Sequence, residues 1–354
     1  MATLKIILYI LSFLAILSVL IPFVKKDYWA FRVFDYPRLQ KITIIGGILA
    51  CWIIYFRNTE NWVALCTIGI LAIAFFYLLY LIIPFTVFGK TMIDKVSPEG
   101  KETINLLVAN IYQYNSEYQK LLNLVKKRNP DIVFLVETDQ KWLENVKELR
   151  EDFPYYIEIP LENTYGLLFY SKLPIKDHKI NYLIDEEIPS IIADLEFDNQ
   201  LVRIYGLHPT PPVPKENMHA TDRDAEILLI GKMAKEHIGP CLVIGDLNDV
   251  AWSYTTKLFL KSSELLDPRR GRGMYSTFHA KYLLLRWPLD HYFVSSHFRL
   301  VEMKVEENIN SDHFPISICL VLATKDDEDK MVADSEEKAL VEEKIEAGKT
   351  DNPL

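Results

Sequence analysis

The sequence has few cysteines, and none of them are spaced as metal ligands are. Only four cysteines occur in 354 residues. Cys51 and Cys66 lie in long apolar runs, whereas Cys241 and Cys319 lie in strand-like apolar stretches. Cysteines in such places are usually core thiols, so we expect neither a disulfide framework nor a cysteine-based zinc site.

The chain also lacks an excess of positive charge. Its net charge is −9, and residues 325–354 carry most of it, with eleven acidic residues, five basic residues and no aromatic ones. A general basic surface of the kind that binds nucleic acid is therefore not indicated, which disfavours DNA or RNA as substrate. We expect residues 325–354 to form an acidic, solvated and disordered tail, with partial helix near 335–346.

Three long apolar runs without any charge precede residue 90, at 6–24, 42–56 and 62–88. A helix rises 1.5 Å per residue, so about 20 apolar residues cross a hydrocarbon core of roughly 30 Å. The second run is shorter, and it spans only if Lys41 and Arg57 snorkel outward or the bilayer thins. We predict three transmembrane helices within residues 1–95. A buried helical hairpin of a soluble domain is one alternative, and a cleaved signal peptide is the alternative for the first run.

Basic residues are distributed unevenly between the two sides of the membrane that three spans would define. One side holds eight of them, and the other holds only Lys5 and Arg57; the eight are Lys25, Lys26, Arg32, Arg38, Lys41, Lys90, Lys95 and Lys101. Short cytoplasmic loops are enriched in Lys and Arg. With three spans, we therefore expect a multi-pass protein of the cell (inner) membrane whose large domain is cytoplasmic. If the second run does not cross, this orientation changes.

Strand-like and helix-like patterns alternate between residues 104 and 322. Residues 104–110 and 131–137 have the pattern of strands, and an amphipathic helical segment follows each of them. Further along, the pattern becomes mainly β. This mixed order predicts an α/β (α+β) domain over residues 96–324, in which two sheets pack face to face with helices outside and polar motifs lie at strand ends.

Two of these strands end in polar residues that suit a hard cation. Glu137 closes an otherwise apolar strand, where an unpaired carboxylate would be costly to bury. Asn110 ends the neighbouring strand in the same way and offers an amide oxygen. Mg²⁺ selects oxygen ligands of this type, so we predict a Mg²⁺ or Mn²⁺ site at these two residues. A surface glutamate and a turn asparagine are the alternatives.

Two later motifs carry groups for proton transfer. Asp246 and Asn248 are two positions apart, so in extended geometry they point to one side, which suits water activation and phosphate orientation. An Asp/Asn-rich turn is the alternative. His313 lies at the start of the last strand, and Asp290 is placed to hold its ring in one tautomer and raise its basicity.

Taken in sequence order, the motifs resemble the endonuclease/exonuclease/phosphatase superfamily and its deoxyribonuclease-like four-layer αββα sandwich. The resemblance covers residues 104–322, about 60 percent of the chain. It implies a phosphoester-hydrolysing metal site with these roles: Asn110, Glu137 and Asp312 at the metal, His208 as phosphate or leaving-group contact, Asp246 and Asn248 for water and phosphate, and Asp290 as partner of His313.

The sequence departs from the family pattern at two places. Tyr112 stands where some nucleases of the family carry a further acid. The proline-rich stretch 209–214 follows His208 and is similar to a membrane-attached bacterial branch of the superfamily. Both departures concern the choice of substrate.

A loop before residue 275 contains three arginines, Arg269, Arg270 and Arg272. Guanidinium groups bind phosphate and other anionic headgroups well, so we predict substrate contacts there. His279 and Arg223 are weaker candidates for the same rim. A solvated charge cluster without a ligand is the alternative.

Together these features predict a membrane-anchored, divalent-metal-dependent phosphoester hydrolase. A phosphodiesterase or phosphatase acting on a lipid headgroup or small phosphoester is favoured, because tethering selects substrates close to the bilayer. A metal-dependent endo- or exonuclease is one alternative. The other is a catalytically silent membrane binding module that keeps the fold.

Overall fold

A computed structural model describes residues 2–56, 61–214, 216–324 and 329–351. Its N-terminal region consists of helices; they are α1 (Ala2–Leu20), α2 (Trp29–Arg32), α3 (Arg38–Phe56) and α4 (Trp62–Ile82). Short 3₁₀ turns extend α1 to Phe23 and α4 to Phe85. Arg57, which follows the second apolar run, lies outside the described residues.

Two of these helical segments, Thr3–Phe23 and Trp62–Phe85, are long and apolar enough to cross a membrane. A third candidate is bent by 70° between Trp29–Asp35 and Arg38–Ile54. Pro37 lies at this bend, where its ring is compatible with the first turn of α3 but not with a continuous helix. The described part of the chain thus has two such helices, or three if the bent pair counts as one span.

The rest of the chain forms two β-sheets with helices on their outer faces. The strands are β1 (Thr103–Asn110), β2 (Ile132–Val136), β3 (Tyr155–Ile159), β4 (Leu167–Ser171), β5 (Ile175–Asn181), β6 (Ser190–Phe197), β7 (Gln200–Leu207), β8 (Cys241–Asp246), β9 (Asp290–Val294), β10 (Phe298–Val305) and β11 (Ile316–Leu322). The helices are α5 (Tyr118–Arg128), α6 (Gln140–Val146), α7 (Leu149–Asp152), α8 (Thr221–Glu236), α9 (Tyr254–Ser263) and α10 (Ser335–Asp351).

One sheet has the order β10-β11-β1-β2-β4-β3, and the other has the order β5-β6-β7-β8-β9. Their inner faces share one apolar core, in which Phe134 of the first sheet and Ile204 of the second are fully buried. The outer face of the first sheet packs on α5 and α6, where Trp142 is buried. The outer face of the second packs on α8 and α9, where Phe259 is buried. These four layers confirm the predicted αββα sandwich.

The C-terminal tail is not the mainly disordered segment expected over residues 325–354, and the helix expected near 335–346 is present and extends over Ser335–Asp351. Its helix α10 packs on the outer layer, with Val341 and Ile345 buried in the same apolar cluster as Phe259. Gly348 lies so close to α8 that a Cβ atom there would be 2.4 Å from Cβ of Ala225. These three α10 residues recur at helical spacing and form a narrow apolar stripe. The stripe was not recognised from the sequence, because acidic residues on the other faces of α10 dominate the composition of the segment.

Candidate active site

The strand directions bring polar residues from both sheets to one edge of the sandwich. β1 runs parallel to β2, and β7 runs parallel to β8. Asn110 ends β1 and Asp246 ends β8, and Nδ2 of Asn110 donates a 3.0 Å hydrogen bond to Oδ2 of Asp246. This bond crosses from one sheet to the other, so the motifs predicted at strand ends meet at a single place.

Gly245 fixes the position of Asp246. Its φ is +135°, which side chains rarely adopt, and a Cβ atom there would be only 2.0 Å from the carbonyl oxygen of Leu207. Asp246 is fully buried and lies opposite Asp290 in the antiparallel pairing of β8 with β9. The tight approach of β7 and β8 thus aims the Asp246 carboxylate at the sandwich edge.

His313 lies between two acids. Its Nδ1 is 2.8 Å from Oδ2 of Asp290, and its Nε2 is 3.5 Å from Oδ2 of Asp246. Burial lowers the pKa of the imidazole, but the Asp290 and Asp246 carboxylates outweigh it and raise this pKa to about 10. The ring is therefore held as an imidazolium near neutral pH, with its orientation fixed by Asp290.

Glu137 and Asn110 lie on the other side of Asp246. Glu137 follows β2 with a φ of +63°, a conformation that non-glycine residues adopt at special turns. Its Oε1 accepts a 2.7 Å hydrogen bond from Nδ2 of Asn110. Burial raises the pKa of Glu137 to about 7, while the hydrogen bond from Asn110 opposes that rise. The carboxylate is thus costly to ionise without a nearby cation.

These donors fit a hard divalent cation. The carboxylates of Glu137, Asp246 and Asp312 and the amide of Asn110 supply oxygen, which Mg²⁺ and Mn²⁺ prefer. A ligand atom from each of Asp246, Asp290 and His313 also lies within 4.8 Å of the others. Because Nδ1 of His313 already contacts Asp290, the oxygen-rich side at Glu137 is the part of the site whose donors suit such a cation better.

His208 and Asn248 are also brought to this edge. His208 is buried beside the ring of Tyr165, with the ring centroids 5.4 Å apart. Burial lowers the pKa of His208 to about 4, so its imidazole is neutral near pH 7. Within the described chain, its Nδ1 atom has no hydrogen-bond partner. Asn248 has a φ of +51° and donates from Nδ2 to the carbonyl oxygen of Pro209.

Asp312 and His279 lie at the margin of the site. Asp312 is half-buried beside His313, and its backbone carbonyl accepts a hydrogen bond from the Ala280 amide. His279 follows Phe278, whose ring centroid is 4.9 Å from that of His313. The structure therefore places both predicted residues near the His313 ring.

The three arginines of the predicted rim have structural contacts instead. Arg269 is fully buried, pairs with Asp267 and contacts Nδ1 of His291 at 2.6 Å. Arg270 lies over the ring of Phe85, at the end of the α4 segment. Arg272 donates to the backbone oxygens of Pro268 in the same loop and of Ile93 in the N-terminal region. Arg269 is therefore not a rim residue, because its buried charge is already neutralised, and the other two brace the loop against the N-terminal region.

Two residues behind the site were not identified as such from the sequence. The carbonyl oxygen of Asn248 accepts 2.8 Å hydrogen bonds from the Tyr36 hydroxyl and from Nη1 of Arg223. Arg223 is fully buried and pairs with Asp224, so it supports the Asn248 turn and does not lie on the substrate rim. No local pattern marks Tyr36, because it is more than 200 positions away from Asn248.

Fold and site together define an αββα sandwich with carboxylate, amide and imidazole groups at one sheet edge. A family model described as the endonuclease/exonuclease/phosphatase family matches residues 103–313. The chain therefore belongs to this family, whose members are generally metal-dependent hydrolases of phosphoesters.

Solved structures with the same fold include a D. rerio TDP2 humanized by 14 mutations. It has a TM-score of 0.52 and 13% identity, and the match covers 62% of this chain and 98% of that one. A family member from Bacteroides vulgatus has a TM-score of 0.51 and 18% identity, and the match covers 63% of this chain and 100% of that one. At these identities the likeness concerns the fold alone. No curated protein matches the chain.

Proposed function

We propose that this protein is a membrane-anchored, divalent-metal-dependent phosphodiesterase or phosphatase that hydrolyses a lipid headgroup or small phosphoester. The observation that supports hydrolysis most strongly is the bridge from Asn110 to both Glu137 and Asp246, at 2.7 and 3.0 Å. It joins the proposed cation ligand to the residue we assign to water activation. An acid pair and an imidazolium within one hydrogen-bonded group suit hydrolysis better than simple binding.

Each side chain has a role that its surroundings support. Asp246 orients the attacking water and accepts its proton, the P–O bond to the leaving group breaks, and the leaving oxygen takes a proton from solvent. Asn248 and neutral His208 donate hydrogen bonds to phosphoryl oxygens. His313 is held by Asp290 and offers an N–H to the negative charge that develops on the phosphoryl group. When bound beside Glu137, with Asn110 and Asp312 near it, Mg²⁺ or Mn²⁺ would neutralise phosphoryl charge.

An exposed apolar loop next to the site favours a lipid substrate. Leu283 and Leu284 are 73% and 79% exposed, and they follow His279 in the same loop. The carbonyl oxygen of Leu284 accepts a 2.7 Å hydrogen bond from Nε2 of Gln40, near the start of α3. The loop is thus attached to the end of a candidate membrane helix. Such a position suits contact with the bilayer surface, where lipid headgroups lie.

The same arrangement supports our proposed location for the domain. The segment between α1 and α3 contains Lys25, Lys26 and Arg32, and it contacts the sandwich directly, with Nη2 of Arg32 2.5 Å from Oδ2 of Asp224. Basic residues in short loops favour the cytoplasmic side. We therefore propose a multi-pass protein of the cell membrane with a cytoplasmic catalytic domain.

Hydrolysis by the full-length protein tests this proposal. Purified protein in a nonionic detergent is given Mg²⁺, Mn²⁺ or chelator with phosphoinositides, sphingomyelin, bis-p-nitrophenyl phosphate, single-stranded DNA, duplex DNA or RNA. We expect metal-dependent turnover of the lipids or the small ester. Glu137→Gln and His313→Ala should reduce it by roughly a hundredfold or more while the protein stays folded.

Exposed residues far from the site provide matched controls. Glu148→Gln and His178→Ala change the same chemical groups on the surface and should leave turnover intact. Cleavage confined to DNA or RNA would favour the nuclease instead. Activity that survives both site substitutions would disprove the assigned site, and a folded, Mn²⁺-binding protein without turnover would favour a binding module.

A further inference from the structure

A cavity of about 370 Å³ lies away from the proposed active site, where the membrane helices meet the outer layer of the sandwich. Its walls come from the ends of α1 and α4 and from the helices α9 and α10. None of the residues that we assign to catalysis or metal binding contributes to its lining. It therefore requires its own explanation.

The membrane side of the cavity is apolar. Phe23 ends the first candidate span and Tyr77 lies on the second, eight residues before its end, with ring centroids 5.4 Å apart, and Leu81 adds to the same wall. Phe23 is 59% exposed in the described structure. Aromatic side chains at the ends of spans lie at the level of lipid headgroups. An acyl chain entering from the bilayer would therefore meet an apolar wall here.

The domain side of the cavity is basic. Five basic and three acidic side chains line the whole cavity. Lys25 and Lys257 are exposed, and neither makes an ion pair with a residue that the structure describes. Nζ of Lys25 lies 4.8 Å from the ring centroid of Tyr254, one helical turn before Lys257. Both ammonium groups thus belong to one wall and are free to bind an anion.

Two of the other three basic groups hold the walls together. Arg32 and Lys344 both pair with Asp27 and Asp224, which links the membrane segment, α8 and α10. Nε of Arg32 is buried and has no hydrogen-bond partner among the described residues. The side chain of Arg32 is 9% exposed and lines the cavity. A polar ligand atom in the cavity would satisfy this donor, which burial otherwise makes costly.

We propose that this cavity binds one anionic phospholipid of the surrounding leaflet. Lys25 and Lys257 bind its phosphate, and an acyl chain lies along Phe23 and Leu81. A soluble anion would use the basic wall but not the apolar one, whereas a phospholipid satisfies both. Basic pockets beside transmembrane helices are suited to anionic headgroups in this way.

Native mass spectrometry of the full-length protein in nonionic detergent tests this binding. Chelator is present throughout, so the result does not depend on hydrolysis. Phosphatidylglycerol and phosphatidylcholine with identical acyl chains are supplied in equal amounts. We expect one phosphatidylglycerol to be retained with a preference of roughly tenfold over phosphatidylcholine. The variant with both Lys25→Gln and Lys257→Gln should lose this preference.

A control variant removes the same charge without altering the cavity. Lys26 is exposed next to Lys25 and Lys126 is exposed on α5, and neither lines the cavity. Lys26→Gln with Lys126→Gln should keep the preference for phosphatidylglycerol. All four lysines are on the surface, and thermal unfolding checks that both variants are folded.

Three results would overturn the proposal. One is equal retention of the two lipids by the unmodified protein. Another is the same preference in the Lys25→Gln/Lys257→Gln variant as in the unmodified protein. The third is full displacement of phosphatidylglycerol by millimolar glycerol phosphate, which would identify the ligand as a soluble anion.

Discussion

The hydroxyl group of Tyr36 donates a 2.8 Å hydrogen bond to the backbone carbonyl oxygen of Asn248. Tyr36 lies in the segment that connects α1 to α3, two residues before α3 begins. Asn248 belongs to the proposed active site. Nearby, Nε1 of Trp252 donates to the carbonyl oxygen of Asp35. The membrane-proximal segment therefore supports the site directly, and a protein shortened to the sandwich alone would lack these contacts.

Removing this hydroxyl should weaken catalysis without unfolding the protein. In Tyr36→Phe, Arg223 is the one side-chain donor to the Asn248 carbonyl that remains among the described residues, so we expect kcat to fall roughly two- to tenfold, as for one lost hydrogen bond. KM should change less, because the Asn248 side chain that we propose to bind phosphoryl oxygens is retained. Turnover of bis-p-nitrophenyl phosphate measures both constants. Tyr182→Phe, at a surface position, is the control, and equal kcat values would show that Arg223 alone is sufficient.

Metal binding should strengthen with rising pH. Burial raises the pKa of Glu137 from 4.5 to about 7 in the metal-free protein. The folded state therefore binds this proton more tightly than the unfolded state, and the contribution of Glu137 to stability falls as pH rises through that interval. A divalent cation needs the ionised carboxylate and offsets this loss.

Thermal unfolding with and without Mg²⁺ measures the effect. We expect the rise in Tm caused by Mg²⁺ to be larger at about pH 8 than at about pH 6. Glu137→Gln should abolish most of the rise at both pH values, and Glu148→Gln should preserve it. A rise that is independent of pH would contradict the placement of the cation at Glu137.

The exposed leucines should matter for lipid substrates and not for soluble ones. Leu283→Ser with Leu284→Ser removes two side chains that each contribute about 1.5–3 kcal/mol when fully transferred from water to an apolar medium. We expect hydrolysis of vesicle lipid to fall at least roughly tenfold. Turnover of bis-p-nitrophenyl phosphate should remain unchanged. Leu201→Ser in the β7 strand, which is 50% exposed, serves as control. A parallel loss with both substrates would indicate a structural role for the loop.

Helix α10 should stabilise the protein despite its acidity. Ile345 is 2% exposed in the cluster shared with α8 and α9, so Ile345→Ala leaves a cavity that costs about 2–5 kcal/mol. We expect Tm to fall by several degrees. Val332 is 60% exposed, and Val332→Ala should have little effect. If both variants unfold at the same temperature, α10 does not form part of the cooperative unit.

Local pattern predicted two packed sheets and the polar residues at the strand ends, and the resemblance to a known family added the four-layer sandwich and His208. The apolar strands that end in Asn110 and Glu137 are visible in the sequence, because a buried strand followed by a polar residue leaves a clear compositional signal. The pairing of Asp290 with His313 was also predicted, and the structure places these residues 2.8 Å apart. The roles that we assign to them remain proposals.

The positions of charged residues in the sequence did not predict which of their side chains are buried. Arg269 and Arg272 stand in one glycine-containing loop, and the sequence gives no sign that the first is buried while the second braces the loop. Burial of Arg269 depends on Asp267 and on His291 of β9, the latter 22 positions away. A buried charge requires such partners, and only the folded chain supplies them.

The sequence by itself determined which segments are apolar enough for a membrane, which alternate as strands and helices, and which polar groups end the strands. Tertiary structure decided that Tyr36 contacts Asn248, that α10 covers α8, and that a basic and apolar cavity lies between Phe23 and Lys257. The physical reason is the separation in sequence between the residues that interact. Hydrophobic periodicity is a property of neighbouring residues, whereas these contacts join positions that meet only when the core of the sandwich has formed.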